Sequence, residues 1–216
     1  MQSSDLIPAL RGVLHQWAFW FALAAATALV ALAPAGVARF AAVIYGAGLC
    51  LMLAASALYH RLNCSDGVRT WLCRVDHSAI YVFMAASYTP LALLLLEGTM
   101  RWVVLGTVWA VALAGVALSV AWVTAPSVLK ASIYVALGWA FVVVFPELSA
   151  DLDVAPLVLF AAGGLLYSIG AVIYALRRPN PWPSTFGFHE IFHALVIAAA
   201  VTHFVAMAGW VILPAG

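Results

Sequence analysis

Apolar residues run along this chain in blocks of about twenty, separated by short polar breaks. Seven such blocks occupy roughly 13–33, 39–59, 77–96, 102–122, 129–146, 154–176 and 190–212. A helix needs about 20 mostly apolar residues to cross the hydrocarbon core of a bilayer, and each block comes close to that length. No block alternates polar and apolar residues with a period of two, so the pattern excludes a β-barrel. It predicts an all-α polytopic membrane protein whose residues 1–216 form a single domain of seven transmembrane helices. The breaks ("APAGVAR", "RLNCSDGVRTWLCRVD", "EGTMR", "TAPSVLK", "PELSADLDVAP" and "RRPNPWPSTFGF") carry most of the charge, proline and glycine. The first block ends in "ALA" at 31–33, which resembles a signal-peptide cleavage site. Its apolar run is long for a signal peptide, and it reads as a span.

Composition agrees with this reading. Of the 216 residues 67% are hydrophobic and 8% charged, against about 25% charged in an ordinary soluble domain. Net charge is +1, which offers no electrostatic case for binding nucleic acid. Cys50, Cys64 and Cys73 lack the companions of a disulfide framework or a four-ligand zinc loop and are expected as free thiols. Lys and Arg near helix ends set orientation. With the N-terminus in the cytoplasm and the C-terminus outside, the inner breaks hold Arg11, Arg61, Arg69, Arg74, Lys130, Arg177 and Arg178. The outer breaks hold Arg39 and Arg101. Trp17, Trp20, Trp102, Trp182 and Trp210 near segment ends read as interfacial anchors.

This topology brings several polar residues to one depth, near the cytoplasmic face. The second segment ends in "SALYH", with Ser56 and His60. The third opens with Asp76 and His77, and the seventh with His189 and His193. An ionisable group at the centre of a membrane helix costs about 2.5–3.5 kcal/mol on insertion scales, and less near the ends, so each needs a reason. His189 and His193 stand four residues apart, which puts both rings on one helix face about 6 Å apart. Ser56 and His60 share a face in the same way. A catalytic zinc typically takes three protein ligands and keeps one position for water. His60, His189 and His193 supply the three. Asp76 is then free to hold that water or accept its proton, and Ser56 to donate a hydrogen bond to a substrate carbonyl. Asp76 also suits a helix N-cap, and a Ser one turn from a His is common in packed membrane helices.

The remaining histidines fit less directly. His15 shares the depth and could be a spare ligand, although it reads rather as an outer partner of the site or an interfacial residue. His77 points about 100° away from Asp76 around the helix, toward loop or headgroups. His203 is about 15 Å beyond His193 along the axis and roughly 80° off its face, too far to join the same ion. A helix-to-helix hydrogen bond accounts for it at least as well as a functional role.

"HEIFH", residues 189–193, also spells the H-E-x-x-H of zinc metalloproteases. In such an enzyme Glu190 would be the general base, Asp76 could supply the third ligand, and His60 would be surplus. With three histidines on the metal, Glu190 is a bystander at a helix N-terminus, where the helix dipole favours a negative charge.

The three motifs "SALYH", "RVDHSAIYVFMAASYTP" and "HEIFHALVIAAAVTHF" together resemble the hemolysin III family. That family belongs with the progestin and adipoQ receptors, which include the adiponectin receptors. The resemblance covers the seven-span layout. It implies that His60, His189 and His193 bind zinc, that Asp76 holds a water on that zinc, and that Ser56 has a place in the site. The second residue of the last motif is not fixed as acidic in the family, which argues against a catalytic Glu190. Many bacterial members carry an acidic, Asn-containing stretch before the first span, ending in a His. Here it reads "ALRGVLHQWAF", with His15 but neither Glu nor Asn. These relatives are similar in turn to alkaline ceramidases. The resemblance therefore implies a zinc-dependent hydrolase acting on an amide or ester of a membrane lipid, in the cell membrane. Its competitors are a membrane sensor or receptor with structural zinc, and a cytolysin or channel.

Overall fold

Seven helical spans build the protein, in a computed structural model that describes residues 9–214. They are α1 (Val13–Leu32), α2 (Val37–Arg61), α3 (Asp66–Leu94), α4 (Gly98–Ala121), a fifth span made of α5 (Ser127–Gly138) and α6 (Phe141–Asp151), α7 (Val154–Leu176) and α8 (Phe188–Ala206). The last span continues beyond α8 as a π-helical stretch, Met207–Ile212. Among the described residues there is no β-strand, only one isolated bridge between Trp182 and Phe186.

The short connections have local causes. Ala33 is extended, as a residue before proline prefers, and ends α1. Arg39 then donates from Nε and Nη2 to the Ala33 carbonyl at 3.1 and 2.9 Å. Arg101 does the same at the next connection on that side, from Nε to the Leu96 carbonyl at 2.8 Å. Both arginines thus satisfy carbonyls freed at helix ends.

Two spans differ from the pattern of apolarity. The third helix begins at Asp66, not near 77. Its first three turns are too polar to register as a span, yet they are helical. At 29 residues it is about 43 Å long, more than the ~30 Å hydrocarbon core requires. Asp76 therefore lies well inside a helix, and the N-cap explanation fails. The fifth span is broken at Trp139 and Ala140. There the Tyr88 hydroxyl is placed to donate to the carbonyls of Gly138, at 2.8 Å, and Leu137, at 3.1 Å. The Trp139 indole N–H donates to Ser168 Oγ at 2.9 Å. A break at membrane depth is tolerable where protein groups take up the freed backbone.

Neighbouring packing runs α1 to α2, α2 to α3, α3 to α5, α5 to α7 and α7 to α8, and α8 returns to α1; α4 packs against α3. Small residues let the helices approach: a Cβ on Gly48 would meet that of Ala86 at 2.5 Å, and one on Gly46 would meet that of Ala26 at 2.8 Å. The α3–α5 seam is the loosest in this circuit. A partly open cavity of about 740 Å³ is lined from α1, α2, α3, α5, α6, α7 and α8.

Candidate metal centre

His60 occupies the last turn of α2, and His189 and His193 the first two turns of α8. Because α2 ends where α8 begins, the three imidazoles meet at one end of the bundle. His60 Nε2 and His189 Nε2 face each other at 3.1 Å. The ring centroids lie 4.7 Å (His60–His189), 5.1 Å (His60–His193) and 4.5 Å (His189–His193) apart. One nitrogen from each ring falls within 4.8 Å of the others, so the three could hold a metal ion. Two nitrogens sharing a tetrahedral ion at the zinc–nitrogen bond length of about 2.0–2.1 Å lie roughly 3.3 Å apart. The His60–His189 pair is at that spacing, and an all-imidazole donor set suits zinc, copper, iron or nickel.

Neither acidic candidate belongs to this cluster of donors. Asp76 is buried on α3 and lines the same cavity as the triad, with Ser56 facing its carboxyl. Ser56 is buried one turn before His60. Glu190 is fully buried but is not among the residues lining the cavity. Its Oε1 accepts from Arg11 Nε at 2.6 Å, and its Oε2 from the backbone N–H of Gly187 at 2.8 Å. With one oxygen held by Arg11 and the other by the Gly187 N–H, and no part of its side chain lining the cavity, Glu190 is a clamp at the start of α8 and is not placed to act as a protease base. Asn180 Oδ1 accepts a further free N–H there, from Phe188 at 3.3 Å.

The segment before α1 closes over this end. Ala9 and Leu10 donate backbone N–H groups to the carbonyls of Ser184 and Thr185. Gly12 adopts φ +77 and abuts His60: a Cβ at Gly12 would stand 2.6 Å from the His60 Cβ. A positive φ and this contact both call for glycine.

A family described as Haemolysin-III related matches residues 6–204. The chain belongs to that family. A "Hemolysin-3 homolog" of Bacillus subtilis (strain 168) is 32% identical over 161 residues, covering 74% of this chain and 72% of the relative. The human "Monocyte to macrophage differentiation factor" is 27% identical over 177 residues, covering 78% of this chain and 69% of the relative. The "Adiponectin receptor protein" of Drosophila melanogaster is 54% identical over 46 residues, 19% of this chain and 10% of the relative.

In this haemolysin-III-related protein three further histidines take positions that spacing alone does not define. His15 is buried, not interfacial, and its ring stacks on His193 with centroids 3.9 Å apart and planes 7° apart. Neither His15 ring nitrogen has a hydrogen-bond partner among the described residues. His77 lines the cavity rather than meeting headgroups, with Nδ1 3.7 Å from Cys73 Sγ one turn earlier. His203 Nε2 lies 3.1 Å from the Phe160 carbonyl of α7, the helix-to-helix contact expected for it. The burial of His15 had one sequence signal, its shared depth with the triad. The Arg11–Glu190 pair had none, because 179 residues separate its members. The three cysteines are free. Trp17, Trp20, Trp102 and Trp182 are exposed, whereas Trp210 is half-buried against the core.

Proposed function

We propose that this chain is a zinc-dependent hydrolase acting on an amide or ester bond of a membrane lipid, with its metal centre at the cytoplasmic face of the cell membrane. The observation that carries the reading is a shared cavity. The histidine triad, Asp76 and Ser56 all line one space, which extends along α8 past Val196 to His203 and Met207. From His189 to Met207 that is about 27 Å at 1.5 Å per residue. Such a slot suits a long apolar molecule with its polar end at the triad.

His60, His189 and His193 would hold the zinc. Zinc bound there would supply Lewis acidity and lower the pKa of a water to about 7. Asp76 does not reach into the ligand set, so its carboxyl is left to orient the attacking water and take its proton. Ser56 Oγ is a hydroxyl donor on the same wall, suited to a substrate carbonyl or to fixing Asp76.

Asp76→Asn tests the assignment. Turnover of a lipid amide or ester by purified protein in nanodiscs should fall at least ~100-fold, the scale of a lost general base, while zinc content measured by elemental analysis stays at the wild-type level. Full activity in this variant would remove Asp76 from the chemistry. His60→Ala should lose both zinc and turnover. A second reading, a receptor in which the metal only ties α2 to α8, draws on the relative named as an adiponectin receptor. It predicts that Asp76→Asn changes signalling without any turnover to lose.

A further inference from the structure

The metal end of the cavity has a strongly unequal charge. Arg11, Arg69, Lys130 and Arg177 line it, and Asp76 is the sole carboxylate among the lining residues. Two of the four cations are engaged. Arg11 is paired with Glu190, and Lys130 Nζ donates to the Val123 carbonyl at 2.9 Å. Arg69 and Arg177 have no side-chain hydrogen bond or ion pair among the described residues. Attraction to an anionic leaflet explains cations on the outer surface at this end, such as Arg61 and Arg178, which do not line the cavity. It does not by itself explain why half-buried Arg69 and exposed Arg177 also line the cavity without a side-chain partner among the described residues.

Their placement is specific. Arg69 lies on the extended first turns of α3, about 10 Å along the helix from Asp76. Arg177 ends α7 with φ +55, and it is the one non-glycine with positive φ among the described residues. That left-handed conformation makes it the C-cap of α7, a common way for a helix to end, and fixes where its side chain leaves the helix. A guanidinium offers a planar fork of donors matched to phosphate or carboxylate.

We propose that Arg69 and Arg177 form a headgroup site that takes the phosphate or carboxylate of an anionic lipid. The site selects acidic over neutral lipids for the cavity. It rests on the hydrolase reading only in calling that lipid a substrate; binding itself requires no turnover.

The test is a titration of the full-length, zinc-loaded protein in neutral phosphatidylcholine nanodiscs, read by intrinsic tryptophan fluorescence. The probes are dioctanoyl phosphatidic acid, dioctanoylglycerol and inorganic phosphate. Phosphatidic acid should bind at least ~tenfold more tightly than dioctanoylglycerol, the scale of one charge-assisted hydrogen bond. Arg69→Gln with Arg177→Gln should erase that preference and leave dioctanoylglycerol binding and the melting temperature unchanged. Arg177 is exposed, so Arg177→Gln alone keeps the fold and should reduce the preference several-fold. The control pair Arg61→Gln with Arg178→Gln, at the same end but off the cavity wall, should retain it. Equal affinity for the two lipids overturns the proposal, as does a preference that survives in the Arg69/Arg177 pair or disappears in the control. Competition by inorganic phosphate as effective as phosphatidic acid overturns the lipid assignment and identifies a free anion as the ligand. A preserved acidic-lipid preference without hydrolysis removes the hydrolase reading and leaves this site standing.

Discussion

At the scale of single residues, the outcome turns on where Glu190 sends its carboxylate. Its position inside H-E-x-x-H invites a catalytic role, and the spacing of the two histidines was legible because i and i+4 share a helix face. Its actual partners, Arg11 and the Gly187 N–H, were not legible, since a pair 179 residues apart leaves no local pattern. Glu190→Gln removes the charge from a buried, charge-assisted pair, a loss of about 1.5–3 kcal/mol. The expected result is a lower melting temperature in detergent with turnover per folded molecule unchanged. A variant that melts normally but has no activity would restore a chemical role to Glu190. Asp76 shows the opposite case: its residue type and depth suggested a place beside a three-histidine ligand set, and in the fold it lines the same cavity as the triad without joining the cluster of donors.

At the scale of elements, five of the seven spans were readable to within a few residues because the bilayer imposes length and apolarity together. The two exceptions are physical. The start of α3 is amphiphilic helix beyond the hydrocarbon, which a count of apolar residues passes over. The break between α5 and α6 leaves hydropathy untouched, since Leu137, Trp139 and Phe141 are as apolar as an intact helix requires. Only Gly138 hints at it. The Tyr88 hydroxyl supplies what the broken backbone lacks. Tyr88→Phe removes the hydroxyl from the Gly138 carbonyl, while Leu137 keeps the Ala140 N–H at 3.2 Å, and should cost about 1–3 kcal/mol. A thermal melt of the purified variant checks this; an unchanged midpoint would mean that water replaces the hydroxyl through the cavity.

At the scale of the whole molecule, the three histidines join elements remote in sequence, so a metal bound there would be thermodynamically linked to the fold. A ligand that binds only the folded state stabilises it by about 2.7 kcal/mol at a hundredfold excess over its dissociation constant. Removing zinc with a chelator should lower the melting temperature, and zinc should restore it in the wild type but not in His60→Ala. Orientation belongs to this scale as well. With the proposed orientation the triad would lie at the cytoplasmic face, and a reporter fused after Gly216 should be active outside the cell; cytoplasmic activity would invert the arrangement.

Consider finally the meeting of α1 and α2 with α8. His60 is synthesised early, and its two companions emerge only with the final span. A nascent chain with six spans inserted holds His60 but neither His189 nor His193, so two of the three donors are missing. The trio is complete only once the final span has emerged from the ribosome. Products that terminate before it enter the bilayer without the pair.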